Sequence, residues 1–175
     1  MAQTFEERMA QIRARNLWSP DEILPRLYLG NGKDAQNKEK LNEFGFTHII
    51  NVADDVENYY PNDFTYLNLN VGDFGTDAGI TRVFPQAMEF LEKHWKNNED
   101  SVTLIHCAAG MNRSATLYIA TVMFFEKLSL KDALGLVLSK RSVRPIADNR
   151  RELLKYEVEL YGGENTVNEH DFFKK

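Results

Sequence analysis

The chain predicts an α/β layer fold, a single domain with a mostly parallel central sheet flanked by helices. Three observations carry this. Two short and largely apolar runs, THIINVA (47–53) and VTLIHC (102–107), read as strands covered on both faces, as in the middle of a parallel sheet. Between them Phe84, Met88, Leu91 and Trp95 recur at helical spacing. After the second run SATLYIATVMFFEKL (114–128) is apolar almost all round, which predicts a buried central helix. Strands alternating with helices belong to layered α/β architecture.

The other elements follow in chain order. Residues 5–17 can form a short amphipathic helix with Phe5, Met9 and Ile12 on one face. EILPRLYLGN reads as short strands broken by Pro25 and closed by Gly30 and Gly32. Residues 33–44 read as a helix. TYLNLNV (65–71) alternates, with Leu67, Leu69 and Val71 on one face. A helix is expected over 80–97, with Pro85 in its first turn. SLKDALGLVLSKR follows, with Ser129 as N-cap and Leu130, Ala133, Leu134, Val137 and Leu138 on the apolar face. DNRRELLKYEVELY is the last helix. The tail GGENTVNEHDFFKK has few core residues and is expected to be flexible, with Phe172 and Phe173 as its docking candidates. The expected division is an N-terminal arm (1–19), one main domain (20–161) and a C-terminal tail (162–175).

A length of 175 residues suits one domain with a real core. No apolar run is long enough to span a membrane. The N-terminus has no apolar stretch of a secretory signal, and Ala2 is not a myristoylation glycine. A single cysteine allows no internal disulfide and fits a reducing compartment, cytoplasm or nucleus. The net charge of −5 argues against general nucleic-acid binding. Lys140, Arg141, Arg144, Arg150 and Arg151 nevertheless crowd one segment, either as a solvated helix end or as a basic rim for an acidic substrate.

The chemistry concentrates in HCAAGMNRS (106–114). In an α/β sheet, ligands bind beyond the carboxyl ends of the strands, where this loop lies. Ala108, Ala109 and Gly110 let the backbone curl and point its N–H groups inward as an anion nest. The helix starting at Ser114 adds its positive end. Arg113 brings a planar fork suited to two phosphate oxygens. The same field favours thiolate over thiol at Cys107. A thiolate at the floor of a phosphate cradle is placed for in-line attack on phosphorus, giving a phosphocysteine with Arg113 on the equatorial oxygens. His106 reads as a structural residue ordering the loop, with direct proton transfer as its lesser role.

A departing alkoxide or phenoxide needs a proton, so a general acid is expected on a neighbouring loop. GDFGTDAG follows the strand TYLNLNV. Asp73 is closest to the strand end and is the first choice, with Asp77 second; as a bare turn aspartate, either would merely cap the next helix. The same group as carboxylate would activate the hydrolytic water. Ser114 is placed to hydrogen-bond the sulfur and ease its departure, besides capping the helix.

HCAAGMNRS resembles the Cys-x5-Arg-Ser/Thr signature of the cysteine-based protein tyrosine phosphatase superfamily. Its fuller form, His-Cys-x-Ala-Gly-x-x-Arg-Ser-Ala, is similar to the small, atypical dual-specificity phosphatases. LPRLYLGNGKDA looks like that family's opening strands, GFTHIINVA like its second buried strand, and Asp73 falls where it keeps its general acid; residues 20–161 are covered. The resemblance implies Cys107 as nucleophile, Arg113 as phosphate clamp, Asp73 as acid and Ser114 as the aid to intermediate breakdown. It also implies a phosphate-binding backbone at Ala108, Ala109, Gly110, Met111, Asn112 and Arg113, no metal and no cofactor. The implied partner is a phosphoprotein substrate, and the protein a monomer or a dimer through the N-terminal helix. Two departures stand out: Asn112 sits where many relatives carry serine, and RPIADNRREL lacks the family's Pro-Asn-aromatic arrangement. No tyrosine-gripping loop is evident, so phosphoserine and phosphothreonine are expected substrates beside phosphotyrosine.

Other readings fare worse. DFG at 73–75 lacks the glycine-rich loop and catalytic loop of a kinase. His48, His94, His106 and His170 are scattered, which argues against zinc. The same chemistry on a phosphoinositide, phosphoglucan or RNA 5′ phosphate is the main alternative. An inactive phosphate-binding adaptor would not need Cys107, Arg113 and Asp73 together, and a sulfurtransferase has no purpose for Asp73 and Ser114.

Overall fold

A computed structural model of the chain describes residues 4–6, 18–74 and 78–174. The helix expected over 5–17, the dimer it would mediate and the alternative acid Asp77 fall outside these residues, apart from positions 5 and 6.

The first two strands, β1 (Asp21–Leu24) and β2 (Leu27–Gly30), form an antiparallel hairpin around Pro25. Its turn residue Arg26 has φ +62°, and its Nη1 donates to Asn98 O (2.8 Å) and Ser101 O (2.9 Å). The single helix expected over 33–44 is two, α1 (Gly32–Gln36) and α2 (Lys38–Glu43). Asn37 divides them: its N–H closes α1 on Asp34 O and its side chain accepts from Lys40 N to start α2. Asparagine competes for backbone hydrogen bonds in this way at helix ends.

Strands β3 (His48–Ala53) and β4 (Thr65–Val71) lie where the apolar patterns put them. The helix expected over 80–97 is a composite. A 3-10 turn (Ile80–Val83) leads into α3 (Phe84–Leu91), with Pro85 in its first turn, and a π turn (Glu92–Lys96) ends it. The buried Trp95 there donates its indole N–H to Pro25 O (2.9 Å). Strand β5 (Thr103–His106) is followed by α4 (Arg113–Glu126), α5 (Leu130–Lys140) and α6 (Ala147–Tyr161).

The sheet order is β1-β2-β5-β3-β4, with every pairing after the first hairpin parallel. β5 lies at the centre and its side chains alternate between two apolar layers. Ile105, with Ile50 and Val52 of β3, packs with α3, α4, α5 and α6. Leu104, with Ile49, packs with Ala35 of α1, Leu41 of α2, Phe46 and Phe64. This two-sided burial is why β3 and β5 read as continuous apolar runs. Each fully buried leucine or isoleucine is worth about 1.5–3 kcal/mol relative to exposure.

Helix α4 runs through the larger layer and is buried from Arg113 to Met123. Its Tyr118 hydroxyl donates to Leu27 O (2.6 Å) and accepts from Leu24 N–H (2.9 Å), tying the helix to the hairpin. Burial pushes this phenol far above its ordinary value. In α5 the expected N-cap Ser129 accepts from Asp132 N, and Leu130, Ala133, Leu134 and Val137 are buried. Leu138 is exposed: it lies at the edge of the face the other four define.

Both docking candidates of the tail pack on the main core. Phe172 is buried in the main core. Thr166 donates both its N–H (3.0 Å) and its hydroxyl (2.6 Å) to Glu157, which also receives Asn165 Nδ2 (3.1 Å) and Leu130 N (2.8 Å). Few apolar residues suffice because a buried carboxylate gathers polar groups of the α5 start and the tail. His48 and His94, far apart in sequence, also meet, with ring centroids 4.8 Å apart. No helix among the described residues is long and apolar enough to cross a membrane.

Candidate active site

Cys107 follows the last residue of the central strand, and α4 begins six residues later. The loop between them must turn tightly against β2. Gly110 has φ +68°, and a Cβ there would come within 2.4 Å of Gly30 O, so only glycine fits. Its carbonyl accepts from Arg141 Nε (3.0 Å), while Ala108 O accepts from Gly32 N (3.0 Å).

The thiol of Cys107 is buried at the floor of this loop. Its Sγ accepts from Gly110 N–H (3.3 Å) and lies 3.1 Å from Ser114 Oγ. Asn112, the N-cap of α4, makes no side-chain capping bond to the first turn. The loop therefore presents sulfur, inward N–H groups and an uncapped helix start together, the elements of an anion site.

Arg113 is 1% exposed. Its Nη1 donates to Asp55 Oδ1 (2.7 Å) and Val71 O (3.0 Å), with Asp54 Oδ1 at 3.4 Å. Nη2 lies 3.3 Å from Asp73 Oδ2, close enough for charge attraction. Nε and Nη2, the side-on edge of the guanidinium, find no hydrogen-bond partner among the described residues. Burial alone would push the guanidinium down. The hydrogen bond it donates to Asp55 and the charges of Asp73 and Cys107 overcome it and hold the group above its ordinary value. Reciprocally, Arg113 holds Asp55 below the usual carboxylate range.

Asp73 stands just after β4 and is partly buried. Its Oδ1 accepts from Asn112 Nδ2 (2.7 Å) and from Phe74 N–H (3.0 Å). His106 is fully buried, with Nδ1 3.3 Å from Cys107 O and Nε2 without a partner among the described residues. Burial lowers it from 6.5 to about 4, so it is neutral at physiological pH.

Cys107, Arg113, Ser114 and Asp73 thus converge on the ends of β4 and β5 and the start of α4. Ala108, Ala109, Gly110, Met111 and Asn112 supply the loop around them. Asp54 and Asp55 were not picked out from the sequence, although they follow β3 as directly as Asp73 follows β4, and that position was the available signal. The basic segment is largely taken up by the chain itself. Arg141 pairs with Asp21 (2.8 Å), Arg151 with Asp148 and Glu169, and the Phe173 ring covers Arg144 and Arg150. Among the described residues no group of three or more His, Cys, Asp or Glu could hold a metal ion.

A family profile described as dual specificity phosphatase, catalytic domain, matches residues 27–159. Human dual specificity protein phosphatase 9 is 36% identical over 144 residues, 81% of this chain and 37% of that protein. A Dictyostelium discoideum MAP kinase phosphatase with leucine-rich repeats, protein 3, is 34% identical over 143 residues, 81% of this chain and 16% of that protein. The chain therefore spans well under half the length of either. Among solved structures, the human tyrosine phosphatase-like serine/threonine/tyrosine-interacting protein superposes with TM-score 0.72 at 30% identity, covering 81% of this chain and 97% of that one.

Proposed function

Since the chain belongs to the dual specificity phosphatase catalytic-domain family, we propose that it hydrolyses phosphotyrosine and phosphoserine/phosphothreonine in proteins through a phosphocysteine intermediate. One observation carries the reading: Cys107 Sγ, held by Gly110 N–H and beside Ser114 Oγ, shares its loop with an arginine whose Nε–Nη2 edge has no hydrogen-bond partner among the described residues. A planar pair of donors suits two phosphate oxygens, and the loop N–H groups suit the rest.

In the first step the Cys107 thiolate attacks phosphorus, an S–P bond forms and the P–O bond to the substrate oxygen breaks. Asp73 gives its proton to that oxygen. In the second step water attacks the phosphocysteine, the Asp73 carboxylate takes a water proton, and the S–P bond breaks to release inorganic phosphate. Ser114 Oγ, 3.1 Å from Sγ, donates to the sulfur as it regains negative charge. Arg113 follows the equatorial oxygens through both steps. His106, neutral and facing Cys107 O, orders the strand end.

The test is hydrolysis of an aryl phosphate at mildly acidic pH by the parent, Cys107→Ser, Asp73→Ala and Asp77→Ala proteins, with and without EDTA. The expected result is no turnover in Cys107→Ser with unchanged circular dichroism, and full activity with EDTA. Turnover by Cys107→Ser or a metal requirement would sink the mechanism. Phosphotyrosine and phosphothreonine peptides compared with phosphoinositides decide between protein and lipid substrates.

A further inference from the structure

The two departures from the family pattern meet in space. Asn112 Oδ1 accepts from Ile146 N–H and from Asn149 Nδ2, each at 2.9 Å. A backbone N–H only donates, so it fixes which end of the Asn112 amide is oxygen. The amide nitrogen must then face the other way, where it donates to Asp73 Oδ1 at 2.7 Å. An asparagine at an N-cap ordinarily accepts from the first helical turn. Asn112 makes no such bond and spends its side chain on this bridge from α6 to Asp73.

The bridge also fixes how Asp73 is turned. Oδ1 accepts from Asn112 Nδ2 and from Phe74 N–H, so both of its lone-pair directions are engaged. Oδ2 lies 3.3 Å from Arg113 Nη2, on the side of the phosphate clamp. Phe74 sits at φ +55° and is 80% exposed, so burial does not hold this costly conformation in place. Its N–H donates to Asp73 Oδ1.

We propose that Asn112 is the positioning residue of the general acid: oriented by Ile146 N–H and Asn149, it holds the Asp73 carboxyl through Oδ1 and so keeps it turned toward the phosphate clamp. The inference rests on the reading of Asp73 as the acid. Serine at position 112 would offer one oxygen where the amide offers an acceptor and a donor on separate atoms, so here the asparagine and the altered α6 start act as a pair.

The experiment measures kcat on p-nitrophenyl phosphate, whose leaving group needs little protonation, and on phenyl phosphate, whose leaving group needs it. The proteins are the parent, Asn112→Ala, Asp73→Ala and Asp73→Ala/Asn112→Ala. Asn112→Ala should lose roughly tenfold on phenyl phosphate, part of what a general acid supplies, and clearly less on p-nitrophenyl phosphate. It should add nothing in the Asp73→Ala background. Equal losses on both substrates, or additivity with Asp73→Ala, would overturn the role of Asn112 alone. If Asp73→Ala itself loses equally on both, the acid assignment falls and this inference with it.

Discussion

Asp55 Oδ1 lies 2.7 Å from Arg113 Nη1, and Val71 O accepts from the same nitrogen at 3.0 Å. The two acceptors hold one end of the guanidinium and aim its opposite edge at the loop. Asp55 is more than half exposed, so its share is modest: about 1 kcal/mol, the net worth of a hydrogen bond. Asp55→Ala should therefore reduce kcat/KM on an aryl phosphate several-fold without abolishing turnover. Tighter inhibition by inorganic phosphate together with higher kcat/KM would show that Asp55 competes with phosphate and does not position the arginine.

Ser114 Oγ, 3.1 Å from Sγ, is useful mainly when sulfur leaves phosphorus. Ser114→Ala should slow breakdown of the phosphocysteine more than its formation. Rapid-mixing assays should show a burst of phenolate close to one per enzyme, followed by a steady state slowed by at least tenfold, as for loss of one donor at a developing anion. Loss of the burst itself would place the serine in the first step.

His106 gives stability a pH dependence. Its folded value, about 4, lies below its unfolded value of 6.5. The unfolded chain thus binds the extra proton first, so the contribution is complete above 6.5 and is lost as pH falls toward 4. The difference corresponds to roughly 3 kcal/mol. His48 and His94, both lowered by burial, act in the same direction. The urea midpoint should fall steadily from pH 7 to pH 4.5, and His106→Asn should flatten part of that slope. An unchanged slope in the variant would assign the acid sensitivity to the other pair or to the carboxylates.

The sheet and its central loop were legible because their signals are local. β3 and β5 announce two-sided burial in seven- and six-residue runs, and the loop carries its cysteine, glycine and arginine within one stretch. What was missed depends on how separate segments meet. Asn37 splits a helix by hydrogen bonds that composition does not show. Asp54 and Asp55 matter only because β3 ends beside β4 and β5. Asn112 looked like a variant serine until the α6 start was placed against it. The polar contacts of the tail were not foreseen because their acceptor is Glu157, a charged residue on another element.

Its role is testable. Glu157 is 2% exposed and accepts from Leu130 N, Thr166 N, Thr166 Oγ1 and Asn165 Nδ2. Burial opposes its charge, but these donors outweigh burial and hold the carboxylate below its ordinary range. Its stabilisation is present above the unfolded carboxylate value and fades as pH falls through the folded one. Glu157→Ala leaves several buried donors unpaired and should cost roughly 2–4 kcal/mol at neutral pH. The urea midpoint measures this, and protease sensitivity of the last dozen residues should rise with it. A variant as stable as the parent would mean that the tail packing contributes nothing to the fold.

Cys107 is the only cysteine in the chain, and this shapes its oxidation. Peroxide oxidises a thiolate to sulfenic acid, which a second cysteine would ordinarily trap as a disulfide. No such partner exists in this chain. The sulfur is buried, with Gly110 N 3.3 Å away. Two reversible ends remain: condensation with a backbone amide nitrogen to a sulfenamide, with loss of water, or reaction with glutathione to a mixed disulfide. Protein treated with equimolar peroxide alone should lose activity, regain it with dithiothreitol, and carry the sulfenamide mass in the peptide containing Cys107. With glutathione present the adduct should replace it. Recovery of activity by thiol with neither species in the mass spectrum would refute this route.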